Sequence, residues 1–210
     1  MRVTVDVVLF TIREGELSVL LIERGKPPFL GAYALPGGFV REDESLDAAA
    51  ARELAEETGV RDVPVEQVGA FGDPGRDPRA RVVTIAYAAL WASDRTVLAA
   101  GTDAAAAAWH RVRGLPALAF DHARIVAHAL ARLRAELDSS GAAFALLPAR
   151  FTLTDLQRVH EAVLGRALDK RNFRRKVEQS GRLRALSAHR REGVQRPARL
   201  YTPARVTTKR

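Results

Sequence analysis

Between Gly38 and Val60 nine positions constrain one another: Gly38, Glu44, Arg52, Glu53, Leu54, Glu56, Glu57, Gly59 and Val60. Ser45 is a helix-capping residue type, the run to Glu57 is rich in alanine, and Gly59 is the residue type that stops helices. The segment therefore predicts a loop, a helix and a stop. On a helix of 3.6 residues per turn Glu53, Glu56 and Glu57 share a face, and Arg52 reaches Glu56 one turn on. Like charges so close repel. A hard divalent cation with oxygen ligands removes the repulsion and can hold a diphosphate against the helix. Gly37 and Gly38, lacking Cβ atoms, would let phosphates approach the backbone.

Charge divides the chain. The net charge of +8 hides a balance of −4 over residues 1–149 and of +12 over residues 150–210. A polycationic third joined to an acidic remainder points to a nucleic-acid-binding module attached to something else. With 210 residues and 47% hydrophobic content, two domains with real cores fit. There is no cysteine, and the five histidines lack ligand spacing, so disulfides are excluded and zinc is not expected. No apolar run of about 18 residues occurs, and the amino terminus, Met1 to Phe10, lacks a long apolar core after a basic start. A soluble, cytoplasmic protein with no membrane partner is expected.

Val3, Val5, Val7 and Leu9 alternate with other residues as in a strand, and Glu14-Gly15 turns into a second strand, Leu17 to Ile22. Further strands are expected at 65–71 and 82–91, joined by the turn-rich segment Gly72 to Arg79. Ala104 to Ala108 reads either as a loop leading to a short strand at Trp109 or as helix. From Asp121, Ile125, Val126, Ala129, Leu130, Leu133 and Leu137 recur at helical spacing until Gly141, in a helix that either closes the first domain or opens the second. Thr152 and Asp155 then form a capping-box pair before a helix with Leu156, Val159, Val163 and Leu164 on one side, stopped by Gly165. Asp169 opens a second helix to about Gln179, and strands at 183–187 and 199–202 flank a basic loop. Helix, turn, helix and two-stranded wing is the grammar of a winged helix-turn-helix.

The first segment matches every fixed position of the Nudix box: glycine, five residues, glutamate, seven residues, then Arg-Glu-apolar-x-Glu-Glu-x-Gly-apolar, 23 residues in all. The resemblance implies magnesium (or manganese) held chiefly by Glu53 and Glu57, with Glu56 a further ligand or base and Arg52 orienting a carboxylate. The loop Gly72 to Arg81 resembles a segment of Nudix proteins that act on or bind ADP-ribose, and makes Arg76, Arg79 and Arg81 candidate diphosphate contacts because a guanidinium grips two phosphate oxygens. Many such hydrolases carry one more carboxylate near residues 103–108. Here the corresponding position, near Ala106, is alanine and only Asp103 remains, so binding could survive while turnover slows.

The segments Thr152 to Gln157, Leu164-Gly165-Arg166 and Lys170 to Lys176 resemble the carboxy-terminal module of the NrtR family of Nudix-related transcriptional regulators. The implied fold class is α/β (α+β): a Nudix α/β/α sandwich over 1–140 followed by a winged helix-turn-helix over 141–210. The resemblance further implies a homodimeric repressor of NAD biosynthesis or salvage genes that binds a double-stranded operator and senses ADP-ribose or a related nucleotide. The alternative is a magnesium-dependent ADP-ribose pyrophosphatase with an accessory basic domain. On a helical wheel Phe173 and Val177 face inward while Arg171 and Arg175 project oppositely, where arginine can read guanine. Lys170, Asn172, Arg174 and Lys176 lie beside them, and with Arg190, Arg191 and Arg196 of the wing they complete the candidate DNA contacts.

Overall fold

The computed structural model describes residues 1–92, 104–191 and 197–204. Its centre is a seven-stranded sheet made by β1 (Arg2–Arg13), β2 (Glu16–Arg24), β3 (Tyr33–Ala34), β4 (Gly37–Phe39), β5 (Glu66–Phe71), β6 (Val82–Trp91) and β7 (Ala104–Arg111). The strand order is β3-β2-β1-β6-β5, with β4 paired to β1 and β7 to β2. Glu14 and Gly15, both with positive φ, make the β1–β2 turn, and β1 runs parallel to β6 from Arg2↔Val82 to Thr11↔Trp91.

Alternation along β1 sends Val5, Val7 and Leu9 to one face and Val8 and Phe10 to the other. The first set packs on Ala49, Ala50 and Leu54 of α1 (Leu46–Thr58). The second packs on Ile125, Val126, Ala129 and Leu133 of α2 (His122–Glu136), giving helix, sheet and helix layers. Ser45 caps α1 by accepting from the Ala48 amide at 3.2 Å, and Gly59 at φ 74° donates back to Ala55 and ends it. The alanine run becomes strand β7, paired to β2 from Leu20↔Trp109 to Ile22↔Ala107, where pairing in the sheet overrides the helix preference of alanine.

After α3 (Ala142–Ala145) come α4 (Leu153–Leu164), α5 (Lys170–Gln179) and the antiparallel pair β8 (Leu183–Arg190) and β9 (Ala198–Pro203). Thr152 and Asp155 form a reciprocal capping box on α4, and Gly165 at φ 71° closes it. Phe151 exchanges two backbone bonds with Tyr201, at 3.1 and 2.7 Å, a single bridge that ties the segment before α4 to the two-stranded wing. Leu146, Phe151, Leu156, Val159, Val163 and Phe173 share one continuous core with Phe10 and α2. Among the described residues no helix is long and apolar enough to cross a membrane.

Candidate functional site

The outer edge of α1 carries the charged positions of the box, and Arg52 organises them. Its Nη2 and Nε donate to the two oxygens of Glu44 at 2.6 and 2.9 Å, and its Nη1 to Glu53 at 2.6 Å and Glu56 at 3.1 Å. Arg52 holds the Glu44 carboxyl down at about 2, and Glu44 in turn raises Arg52. Glu56 also meets Arg41 at 3.3 Å and stays exposed at the rim. Glu57 turns inward, where its Oε2 accepts the Gly37 amide at 2.8 Å. Burial pushes Glu57 up to about 8 against that hydrogen bond, and the neighbouring carboxylates of Glu53 and Asp6 push the same way. Burial also raises Glu53, although Arg52 opposes it.

Both glycines sit at close approaches, but only Gly37 is required by one. A Cβ on Gly37 would run into the Val5 carbonyl oxygen and Asp6; one on Gly38 would meet the Glu53 carboxylate. The first obstacle is backbone, the second the end of a side chain that can rotate. Gly37→Ala is therefore expected to lower the melting temperature by roughly 3–10 °C through overpacking, while Gly38→Ala displaces Glu53 with little change in melting. Calorimetry of the two variants checks the contrast, and equal melting temperatures would contradict it.

Among the described residues no three ligating side chains converge. Glu53 and Glu57 lean on the same glycine pair, however, and two carboxylates completed by ligand phosphates and water suit a hard divalent cation. Nudix proteins generally use a divalent cation, and these two residues would hold it.

Beside the glycines a cavity opens on the α2 side of the sheet, between β1, the end of β2 and the loop before β6. Arg24 lies over the Phe120 ring at 4.8 Å, and Arg79 sits between Phe39 and Phe120 at 5.4 and 5.7 Å. Arg79 is also clamped by Asp77 at 2.7 Å. Burial, and then the nearby Arg79, pulls Arg24 down, while the carboxylates of Glu57, Asp77 and Asp6 oppose the shift. Of the three arginines expected to grip phosphate, Arg79 lines the cavity. Arg76 forms its floor, nearly buried and donating to Asp121 at 2.6 Å and Asp6 at 3.4 Å. Arg81 caps the Gly72 carbonyl at the neck of the loop. His122 Nδ1 accepts the Leu35 amide at 2.9 Å and so carries no proton there; burial keeps the ring neutral. Arg24, Asp6, Phe120 and His122 belong to the cavity wall, and sequence reasoning missed all four. The one local signal was the pair of polar positions, Thr4 and Asp6, on the face of β1 that continues as Val8, Phe10 and Ile12.

The second candidate surface is α5. Asp169 caps it by accepting the Asn172 amide at 2.8 Å, and Phe173 anchors it in the core. Lys170, Arg171, Asn172 and Arg175 are exposed together on its open side, with Arg175 donating to Asn172 at 3.0 Å. Three other basic residues are engaged within the chain. Lys176 meets Asp138 at 2.7 Å, Arg174 reaches Thr154 at 3.5 Å, and Arg190 makes two bonds to Asp155, at 2.6 and 2.8 Å, that tie the wing to the start of α4. Arg191 is exposed at the end of β8. Arg196 and Asp103 lie outside the described residues, and Ala106 is exposed on β7 with no carboxylate to offer.

Residues 1–130 match the Nudix domain model, and residues 143–202 match the model of the NrtR DNA-binding winged helix domain. The chain is 37% identical over 202 residues, 94% of its length and 80% of the other's, to the ADPR responsive transcriptional repressor NtrR of Acinetobacter baylyi. The crystal structure of Shewanella oneidensis NrtR complexed with a 27mer DNA superposes with a TM-score of 0.80 at 38% identity, over 96% of this chain and 93% of that one. The Nudix domain of the same protein, complexed with ADP ribose, matches with a TM-score of 0.58 at 40% identity over 63% of this chain and 88% of that one. A Methanocaldococcus jannaschii ADP-ribose pyrophosphatase is 40% identical over 115 residues, 55% of this chain and 67% of its own length. Box, glycine cradle, arginine-lined cavity and winged helix thus occur together in one chain, which belongs to the NrtR family of Nudix-related transcriptional regulators.

Proposed function

We propose that this protein is a transcriptional repressor of NAD biosynthesis or salvage genes, acting in the cytoplasm as a homodimer whose grip on operator DNA is set by ADP-ribose. The diphosphate binds at Arg24 and Arg79, with magnesium (or manganese) held by Glu53 and Glu57 and with Glu56 and Arg52 shaping the carboxylate cluster. Lys170, Arg171, Asn172 and Arg175 meet the duplex, Arg171 and Arg175 at base edges, and Arg191 and Arg196 follow the phosphates from the wing.

The observation that carries this reading is that α2 and the residues flanking it touch both sites. Asp121, just before α2, clamps Arg76 in the cavity floor, and His122, the first residue of α2, accepts the Leu35 amide. The helix rises about 1.5 Å per residue, and just past its end Asp138 meets Lys176 of α5 and the buried His160 of α4 at 2.7 and 3.5 Å. A ligand that pulls on the floor therefore acts on a rigid element seated against the reader. Such coupling requires different ligand affinity in the two DNA-binding states, typically 5- to 150-fold.

A gel shift with a duplex from the protein's own promoter region is expected to show binding that falls steeply between 50 and 200 mM salt. Saturating ADP-ribose should weaken it at least tenfold. Binding indifferent to ADP-ribose, ADP and AMP alike would remove the sensor from this account.

The inward-turned Glu57 and the complete box favour a second, compatible activity: magnesium-dependent hydrolysis of the ligand's diphosphate. A bound cation would neutralise charge on the phosphates while water attacks phosphorus.

A further inference from the structure

Thr4 and Asp6 occupy the same face of β1 as Val8 and Phe10, but the cover supplied by α2 stops at His122, and both residues line the cavity instead. Thr4 is 8% exposed, and its hydroxyl has no hydrogen-bond partner among the described residues. Valine has the same shape, suits a strand at least as well and would leave no buried hydroxyl unmatched. Its backbone carbonyl is already used, accepting from the Thr84 hydroxyl at 3.2 Å. Among the described residues Asp6, two residues on, is held at long range, by Arg76 and His122 at 3.4 Å each, so its oxygens retain capacity for shorter donors.

We propose that Thr4 is a specificity-determining residue whose hydroxyl, together with the Asp6 carboxylate, hydrogen-bonds the hydroxyls of the sugar beyond the diphosphate. This rests on the ADP-ribose reading above and deepens it. A hydroxyl beside a carboxylate offers a donor and several acceptors, which matches a sugar diol. A phosphate placed there would face the charge of Asp6, and the cavity already presents two guanidiniums, Arg24 and Arg79, for phosphate. Phosphates at the arginines and the second sugar at Thr4 and Asp6 divide the lining of one cavity between the two chemistries.

The test is titration calorimetry of the full chain with ADP-ribose, ADP and AMP, comparing wild type, Thr4→Val and Thr4→Ser. Thr4→Val is expected to weaken ADP-ribose about tenfold, the effect of one hydrogen bond lost from a site built to receive it. ADP and AMP, which lack the second sugar, should be unaffected, and Thr4→Ser should stay near wild type. Unchanged ADP-ribose affinity in Thr4→Val, or an equal loss for ADP, overturns the assignment. A wild-type chain that binds ADP but gains nothing from the second ribose overturns it too. A wild-type chain that binds neither nucleotide overturns the sensor reading and the Thr4 assignment with it. Should Thr4→Val melt early, the ratio of ADP-ribose to ADP affinity within that variant still decides the matter.

Discussion

Alanine at both Arg171 and Arg175 is expected to lower affinity for the promoter duplex by about a hundredfold or more, since each well-placed arginine-to-base contact supplies about 1–3 kcal/mol of discrimination. Both side chains stand on the open face of α5, whereas Phe173 carries the packing, so the variant should melt with the wild type. Arg190→Ala has the opposite signature. Its guanidinium spans to Asp155, at the capped start of α4, and its loss costs about 1–3 kcal/mol of folding stability, a shift of roughly 2–10 °C in melting temperature. DNA binding below that temperature should change far less than in the double variant. Fluorescence anisotropy beside thermal melts separates the two. If Arg171→Ala/Arg175→Ala bound DNA as tightly as wild type, α5 would not be the reading element.

What the sequence disclosed and what it withheld divide along contact range. The caps of α1, α4 and α5 depend on residues three or four apart, so Ser45, Thr152, Asp155, Asp169, Gly59 and Gly165 were legible in one dimension. The box was legible for the same reason. Arg52 meets its carboxylates within a turn or across the short loop to Glu44. Charge sign was legible for every arginine, but partnership was not. Arg76 finds Asp121 45 residues away, Lys176 finds Asp138 38 away and Arg190 finds Asp155 35 away, which turns three candidate ligand or DNA contacts toward bracing. Arg24 looked like an ordinary strand-end residue until the fold laid it over Phe120. The alanines of β7 carry no side-chain signal for a strand, and pairing with β2 decided their conformation.

Glu57→Gln should reduce magnesium-dependent release of AMP from ADP-ribose by about a hundredfold or more. The amide can still sit at Gly37, but it no longer offers the cation a charge. The pH profile follows from the burial that lifts Glu57 from 4.5 to about 8. In the metal-free protein the folded chain keeps this proton over a range where the unfolded chain has lost it, so stability contributed by Glu57 falls as pH rises from about 4.5 through about 8. A cation must displace the same proton. Apparent magnesium affinity therefore rises about tenfold per pH unit below 8 and levels off above it, and Glu57→Gln removes that slope. Cation titrations followed by thermal shift check the profile, and an AMP assay checks the chemistry. Hydrolysis undiminished in Glu57→Gln would take the box out of catalysis. No hydrolysis by wild type, combined with loss of cation-assisted ADP-ribose binding in the variant, would mean that the same carboxylates serve recognition alone. That outcome accords with an alanine at position 106 and with a repressor that must keep its ligand intact long enough to respond to it.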